Sequence, residues 1–147
     1  MTVDYVAFRE LNRPRYRRYA RARTGDADAA ERAVEGMLAD LAVVWKEVLR
    51  SPSPAAAAWC LLGQNIEKCT RADTGSALHR VLRTELADTA LLHLQLGVSL
   101  MDAADLMGVD VSVVRARLAV AEREFRPELA ARYRMAWGGT VSRHMPG

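Results

Sequence analysis

The sequence is short of nearly everything from which sheets, membrane spans, metal sites and disulfide frameworks are built. Only two of its 147 residues are cysteine and three are histidine. Cys60 and Cys69 lie nine apart on what reads as a buried stripe, where a reduced cysteine acts as a small hydrophobe, so core packing is their expected role. His79, His93 and His144 share no spacing with the cysteines, so no metal and no cofactor is expected. Aromatic residues are 6% of the chain against 50% hydrophobic, which predicts an aliphatic, alanine-rich core. No apolar run approaches the length that crosses a bilayer, and Met1–Asp4 does not open a signal peptide. A soluble cytoplasmic protein with no membrane partner is the expectation. Alternating strand patterns and Asn-Gly or Asp-Gly hairpin signals are missing. So are paired carboxylates, a glycine-rich phosphate loop and a nucleophile–base arrangement, and the chain is not expected to be an enzyme.

What remains is helical periodicity, and the expected fold class is all-α. Tyr5, Phe8, Asn12, Tyr16 and Tyr19 fall on one helical face, with Pro14 expected to kink or restart that helix. Thr24-Gly25 stops it, and Asp26 or Asp28 can cap the next, with Glu31 near its positive end. Ala30, Val34, Leu38, Leu41, Trp45 and Val48 then mark one long amphipathic helix. Ser51-Pro52-Ser53-Pro54 breaks it. A third helix follows with Ala55, Trp59, Leu62, Ile66 and Cys69 inward. Thr70–Ser76 reads as a linker, a second helical group runs from Ala77 to about Glu124, and Leu129–Trp137 is a possible short helix beyond Pro127. Gly138-Gly139 and the last eight residues read as frayed.

The net charge is only +3, yet seven arginines (Arg9, Arg13, Arg15, Arg17, Arg18, Arg21 and Arg23) share one stretch of fifteen residues. Two readings stand level: a solvated helix face, or a surface for an acidic partner.

The most specific pattern lies in Ser99–Arg123. Ser99 can cap a helix with Asp102 at its positive end. Ala104 is small where two helices cross. Gly108 suits the left-handed residue that ends the first helix. Asp110 can cap the second helix, and Val114 and Leu118 anchor its inner face. That spacing fits a tight helix-turn-helix. The outer face of the second helix would hold Ser112, Val113, Arg115, Ala116 and Ala119, small enough to enter a major groove. Arg115 and Arg117 would reach phosphates or a guanine edge.

These residues resemble the extracytoplasmic-function group of sigma factors. The likeness to promoter-reading domain four rests on Leu91-Leu92-His93-Leu94, Gly97-Val98-Ser99, Asp102-Ala103-Ala104, Met107-Gly108 and Ala116-Arg117-Leu118. Domain two is echoed by Phe8-Arg9-Glu10-Leu11 with Arg15-Tyr16, by Gly25-Asp26, Ala30-Glu31 and Val34, and by Ser53-Pro54, Ala58-Trp59 and Asn65. The resemblance implies a domain-two-like module at 1–72, a domain-four-like module at 77–124 and a C-terminal extension at 125–147. It further implies promoter DNA as one partner, bound by Ser112, Val113, Arg115, Ala116 and Arg117. RNA polymerase core, or an anti-sigma-like protein, would meet Glu31, Glu35 and Asp40.

Where that family continues its docking helix with Gln, an acid and Phe, this chain holds Glu35, Gly36 and Leu38. Gly36 is read as a missing contact in the docking surface. The segment Gln64–Arg71, arginine-rich in the family, is poor in positive charge. The expected function is a sigma-like regulator that does not start transcription alone. The alternative is a sigma mimic acting by protein contacts only. The two modules, joined by a short linker, are expected to pack together through Trp59, Leu62 and Leu91.

Overall fold

The computed structural model describes the backbone of residues 2–70 and 75–144, and side chains up to residue 127. Among the described residues the fold is all-α, with no strand. The helices are α1 (Val3–Thr24), α2 (Ala27–Val43), α3 (Trp45–Arg50), α4 (Pro54–Cys69), α5 (Ala77–Val81), α6 (Thr84–Ala90), α7 (Leu100–Met107) and α8 (Val111–His144), with a π-helical turn at Leu91–Gln95 between α6 and α7.

Short polar residues set the ends. Thr2, Asp26, Ser53 and Ser99 each accept a backbone N–H in the first turn of the helix that follows. Such a cap satisfies a donor that the helix itself leaves without an acceptor. Gly25 closes α1 in the left-handed conformation at φ 70°, its N–H donating to the Arg21 carbonyl.

The aromatic face of α1 is buried as its spacing predicts at Tyr5, Asn12, Tyr16 and Tyr19, with Phe8 packed against the edge. Pro14 does not break the helix. Pro14 is exposed, and so is Glu10, whose carbonyl loses its usual donor. On that side water can take the place of the missing N–H. The same holds at the other end of the chain. Pro127 is exposed and lies inside α8, which continues to His144 where a separate short helix and a frayed end were expected. Residues 145–147 and the linker residues 71–74 lie outside the described residues.

All six residues of the 30–48 stripe are buried, yet the stripe belongs to two helices and not one, since Val44 at ψ 16° separates α2 from α3. In α4 the inward face is Ala58, Leu62, Asn65 and Ile66, while Ala55, Trp59 and Cys69 are half-buried. Cys60 is exposed, contrary to the core role expected of it, because it stands two residues before Leu62 and so points away from α2. 

Gly36 on α2 lies under the Asn65 side chain of α4. A Cβ there would stand 2.6 Å from Asn65 Oδ1, so the glycine serves the helix crossing and is not a gap in an outer surface. Asn65 Nδ2 donates to Asp40 Oδ2 at 3.0 Å and to the Leu61 carbonyl at 2.9 Å, which holds its side chain over Gly36.

One hydrophobic cluster joins the halves of the chain: Leu62 and Ile66 from α4, Leu91 and Leu92 from the π turn, Ala103, Leu106 and Met107 from α7, and Val114 from α8, with Trp59 at its edge. A smaller cluster of Leu82, Leu86, Ala87, Ala90, Ala121 and Phe125 ties α6 to α8.

Candidate nucleic-acid interface

The segment from Ser99 to Arg123 forms a helix, a three-residue turn and a second helix. Ser99 Oγ accepts from Asp102 N at 3.0 Å and starts α7. Gly108 ends it at φ 72°, with its N–H donating to the Ala104 carbonyl. The Asp110 carbonyl accepts from Val113 and Val114 and begins α8. Val114 is fully buried and Leu118 half-buried, which rolls the helix so that Ser112, Val113, Arg115, Ala116 and Ala119 are exposed. Four of these five side chains are small or branched and uncharged, and Arg115 reaches out from among them. An α-helix bearing such a face can enter a groove about 12 Å wide.

Arg117 stands elsewhere. It is half-buried and lines a cleft of about 370 Å3 between α4 and the α6–α8 pair, facing Trp59, Cys60, Glu67, Glu85 and Asp88. The structure thus brings four of the five DNA-facing candidates onto one exposed surface and places the fifth at the edge of a cleft.

The three acids expected to meet a protein partner are engaged internally. Glu31 pairs with Arg17 at 2.7 Å, and Glu35 with Arg13 at 3.1 Å and Arg17 at 3.8 Å. Asp40 is exposed but accepts from Asn65. These exposed pairs are weak, on the order of 0–1 kcal/mol each, so another protein's charges can compete for them.

The most heavily bonded polar group is one that the pattern of residues did not single out. Asp88 on α6, 4% exposed, accepts a short hydrogen bond from the Tyr19 hydroxyl, another from Trp59 Nε1 at 3.0 Å, and contacts His79 Nε2 at 2.6 Å. Arg23 lies 4.0 Å from the same carboxylate and donates to the Tyr19 hydroxyl at 3.1 Å. Burial, together with the Asp88 charge, holds the Tyr19 phenol protonated well above its ordinary pKa. One carboxylate therefore receives partners from α1, α4 and α5. The signal was legible in one respect: Asp88 is a lone acid inside the apolar run Leu86–Leu92, and a buried carboxylate must find partners.

The turn of the helix-turn-helix is itself clasped by α4. Ser53 Oγ, which caps α4, donates to the Gly108 carbonyl at 3.1 Å. A Cβ on Gly108 would come within 2.2 Å of the Ala56 backbone nitrogen. The second half of the chain is therefore held against the first at two places, the α7–α8 turn at Gly108 and α6 at Asp88.

Comparison with known protein families, curated proteins and solved structures finds no match for this chain. Among the described residues no helix is long and apolar enough to cross a membrane.

Proposed function

We propose that this chain is a sigma-factor-like regulator of transcription that binds duplex promoter DNA through the first three turns of α8. Its first half would dock on RNA polymerase or on a regulator, and its place of action would be the cytoplasm. The observation that carries the reading is the agreement of four features in one segment: the Ser99 cap, the left-handed Gly108, the buried Val114 and the exposed face of small residues around Arg115. A helical hairpin packed only for stability has no need to keep its outer face small. A net charge of +3 favours approach to a polyanion.

A second reading is favoured by a different observation. Arg117 faces the cleft, and Glu31 and Glu35 are paired with α1. A sigma mimic working by protein contacts alone would have no use for a fully exposed basic recognition helix.

Fluorescence anisotropy with a labelled duplex from the gene's own upstream region separates the two. The first reading expects binding at low salt that weakens as salt rises, with a log–log slope of about 0.9 per phosphate neutralised. Arg115→Ala should weaken binding to every sequence, and Arg117→Ala should do so less. No measurable affinity for any duplex hands the case to the second reading. In run-off transcription with core polymerase, no transcript is expected from the protein alone.

A further inference from the structure

Five of the seven arginines in α1 meet a carboxylate of the same chain: Arg9 with Glu10, Arg13 with Glu35, Arg15 with Asp105, Arg17 with Glu31 and Glu35, Arg23 with Glu67 and Asp88. Arg18 and Arg21 meet none among the described residues, and both are exposed. They stand three residues apart, hence on one side of the helix.

Both line depressions on one side of the molecule, Arg18 where two of them adjoin and Arg21 at the outer one. The more enclosed one, a slot of about 190 Å3, runs between Pro14, Arg15 and Arg18 on α1 and Leu92, Leu96, Val98 and Leu106 opposite, with Arg15 already held by Asp105 and the Asp102 carbonyl. It opens, past Pro14, Arg18 and Leu96, into a more open depression edged by Arg17, Arg21 and Ala22. The Arg18 guanidinium donates to the Leu96 carbonyl at 2.5 Å, which keeps its charge at the rim. Part of the far wall, Leu92 and the capping Leu96, comes from the π-helical turn, a rare backbone form that recurs at functional sites. That turn leaves Leu94 exposed beside the slot's own Leu92 and Leu96.

We propose that this slot is a docking site for an acidic amphipathic segment of a partner protein. One aliphatic side chain of the partner fills the floor between Pro14, Leu96 and Leu106, and carboxylates beside it, one helical turn further along α1, pair with Arg18 and Arg21. The choice of partner follows from the two halves of the surface. Two guanidinium groups without a carboxylate call for anions, and the apolar floor next to them calls for an aliphatic group. A nucleic-acid backbone satisfies the arginines and leaves the floor wet, so an acidic peptide is favoured over DNA. The slot lies on the α1 side of the molecule and shares no residue with the exposed face of α8. The proposal therefore stands whether or not α8 binds DNA.

The probe is a fluorescein-labelled peptide of about fourteen residues, long enough for three to four helical turns, with leucines on one face flanked by glutamates. Three controls accompany it: the same peptide with lysine for glutamate, the same with serine for leucine, and an unlabelled duplex as competitor. The full-length protein should bind the acidic peptide, with affinity falling as salt rises, and should bind neither control peptide. Arg18→Gln with Arg21→Gln should weaken binding about fivefold to tenfold, with an unchanged circular dichroism spectrum and melting curve. Arg115→Ala should leave it unchanged. Equal binding of the serine peptide would overturn the apolar floor, and equal binding of the lysine peptide would overturn the role of the arginines. Displacement by duplex, lost in the Arg18/Arg21 variant, would reassign the surface to nucleic acid. Absence of binding by the acidic peptide rejects the proposal outright.

Discussion

The α2–α4 crossing and the α6 junction hold the molecule together by opposite means. At the first, small and aliphatic residues do the work: Ala30, Ala33, Val34, Met37 and Leu41 face Ala58, Leu62 and Ile66, and all eight are 1% exposed or less. At the second, a carboxylate is buried under Tyr19, Trp59, His79 and Arg23. The dry contact tolerates changes that conserve volume, because dispersion and burial are spread over many atoms. The polar one concentrates its energy on a single carboxylate, since a buried charge that loses its partners has nothing to replace them. The two kinds of junction should therefore answer very differently to single substitutions.

The largest effect is expected from Asp88→Ala. Removing the carboxylate leaves Arg23 only the exposed Glu67 as a counter-charge and leaves the Tyr19 and Trp59 donors unsatisfied, a loss on the order of 3–5 kcal/mol. Urea denaturation measures it, and a loss below 1 kcal/mol would erase the contrast with the dry crossing. Gly108→Ala comes next, at about 3 kcal/mol, since it combines a left-handed backbone with backbone overlap at Ala56. If the variant melts like the parent, the turn is not clasped by α4 as described.

Alkaline pH attacks the buried phenols. Burial raises the Tyr16 pKa, and burial and Asp88 raise that of Tyr19. A group whose pKa is raised on folding contributes stability that is intact below its unfolded value, about 10 for tyrosine, and is lost as pH climbs toward the folded one. Stability should thus be flat through neutral pH and fall above about pH 10, by up to about 1.4 kcal/mol per pH unit for each phenol. Tyr16→Phe should flatten the slope, and an unchanged slope would show that other groups set it.

Gly36→Ala sharpens the comparison from the dry side. Alanine gains about 1 kcal/mol of helix propensity but forces the Asn65 amide off Asp40 and Leu61. A net loss of about 1 kcal/mol is expected for the single change, and a gain once Asn65 is also alanine. Additive behaviour in that double-mutant cycle would mean the two residues do not meet. The smallest effect belongs to Glu35→Gln, at most about 0.5 kcal/mol and absent at high salt, because its pairs with Arg13 and Arg17 are solvated.

Much of this architecture is carried by local patterns. Apolar spacing located the buried stripe from Ala30 to Val48, and Thr2, Asp26, Ser53 and Ser99 are short polar residues standing where helices begin. The turn at Gly108 was legible because a left-handed residue between two amphipathic stretches admits few alternatives to glycine. Periodicity and capping act within a few residues, so they survive in one dimension. The prolines misled for the same reason. A local rule forbids them inside helices, yet whether the freed carbonyl meets water or protein depends on which face the fold buries.

What only the tertiary structure decided is which polar residues find one another. Asp88 meets residues 69 and 29 positions earlier in the chain, at Tyr19 and Trp59, and no spacing announces that. The arginine run looked uniform in one dimension. Packing divided it into five arginines neutralised by the chain itself and two, Arg18 and Arg21, left facing outward. Gly36 changed meaning altogether, from a gap in an outer surface to the place on α2 that the Asn65 side chain of α4 occupies. Hydrogen bonds and ion pairs act over a few ångströms of space, indifferent to sequence separation. Periodicity predicts which face of a helix is buried; the identity of what is buried against it emerges only when the helices are brought together.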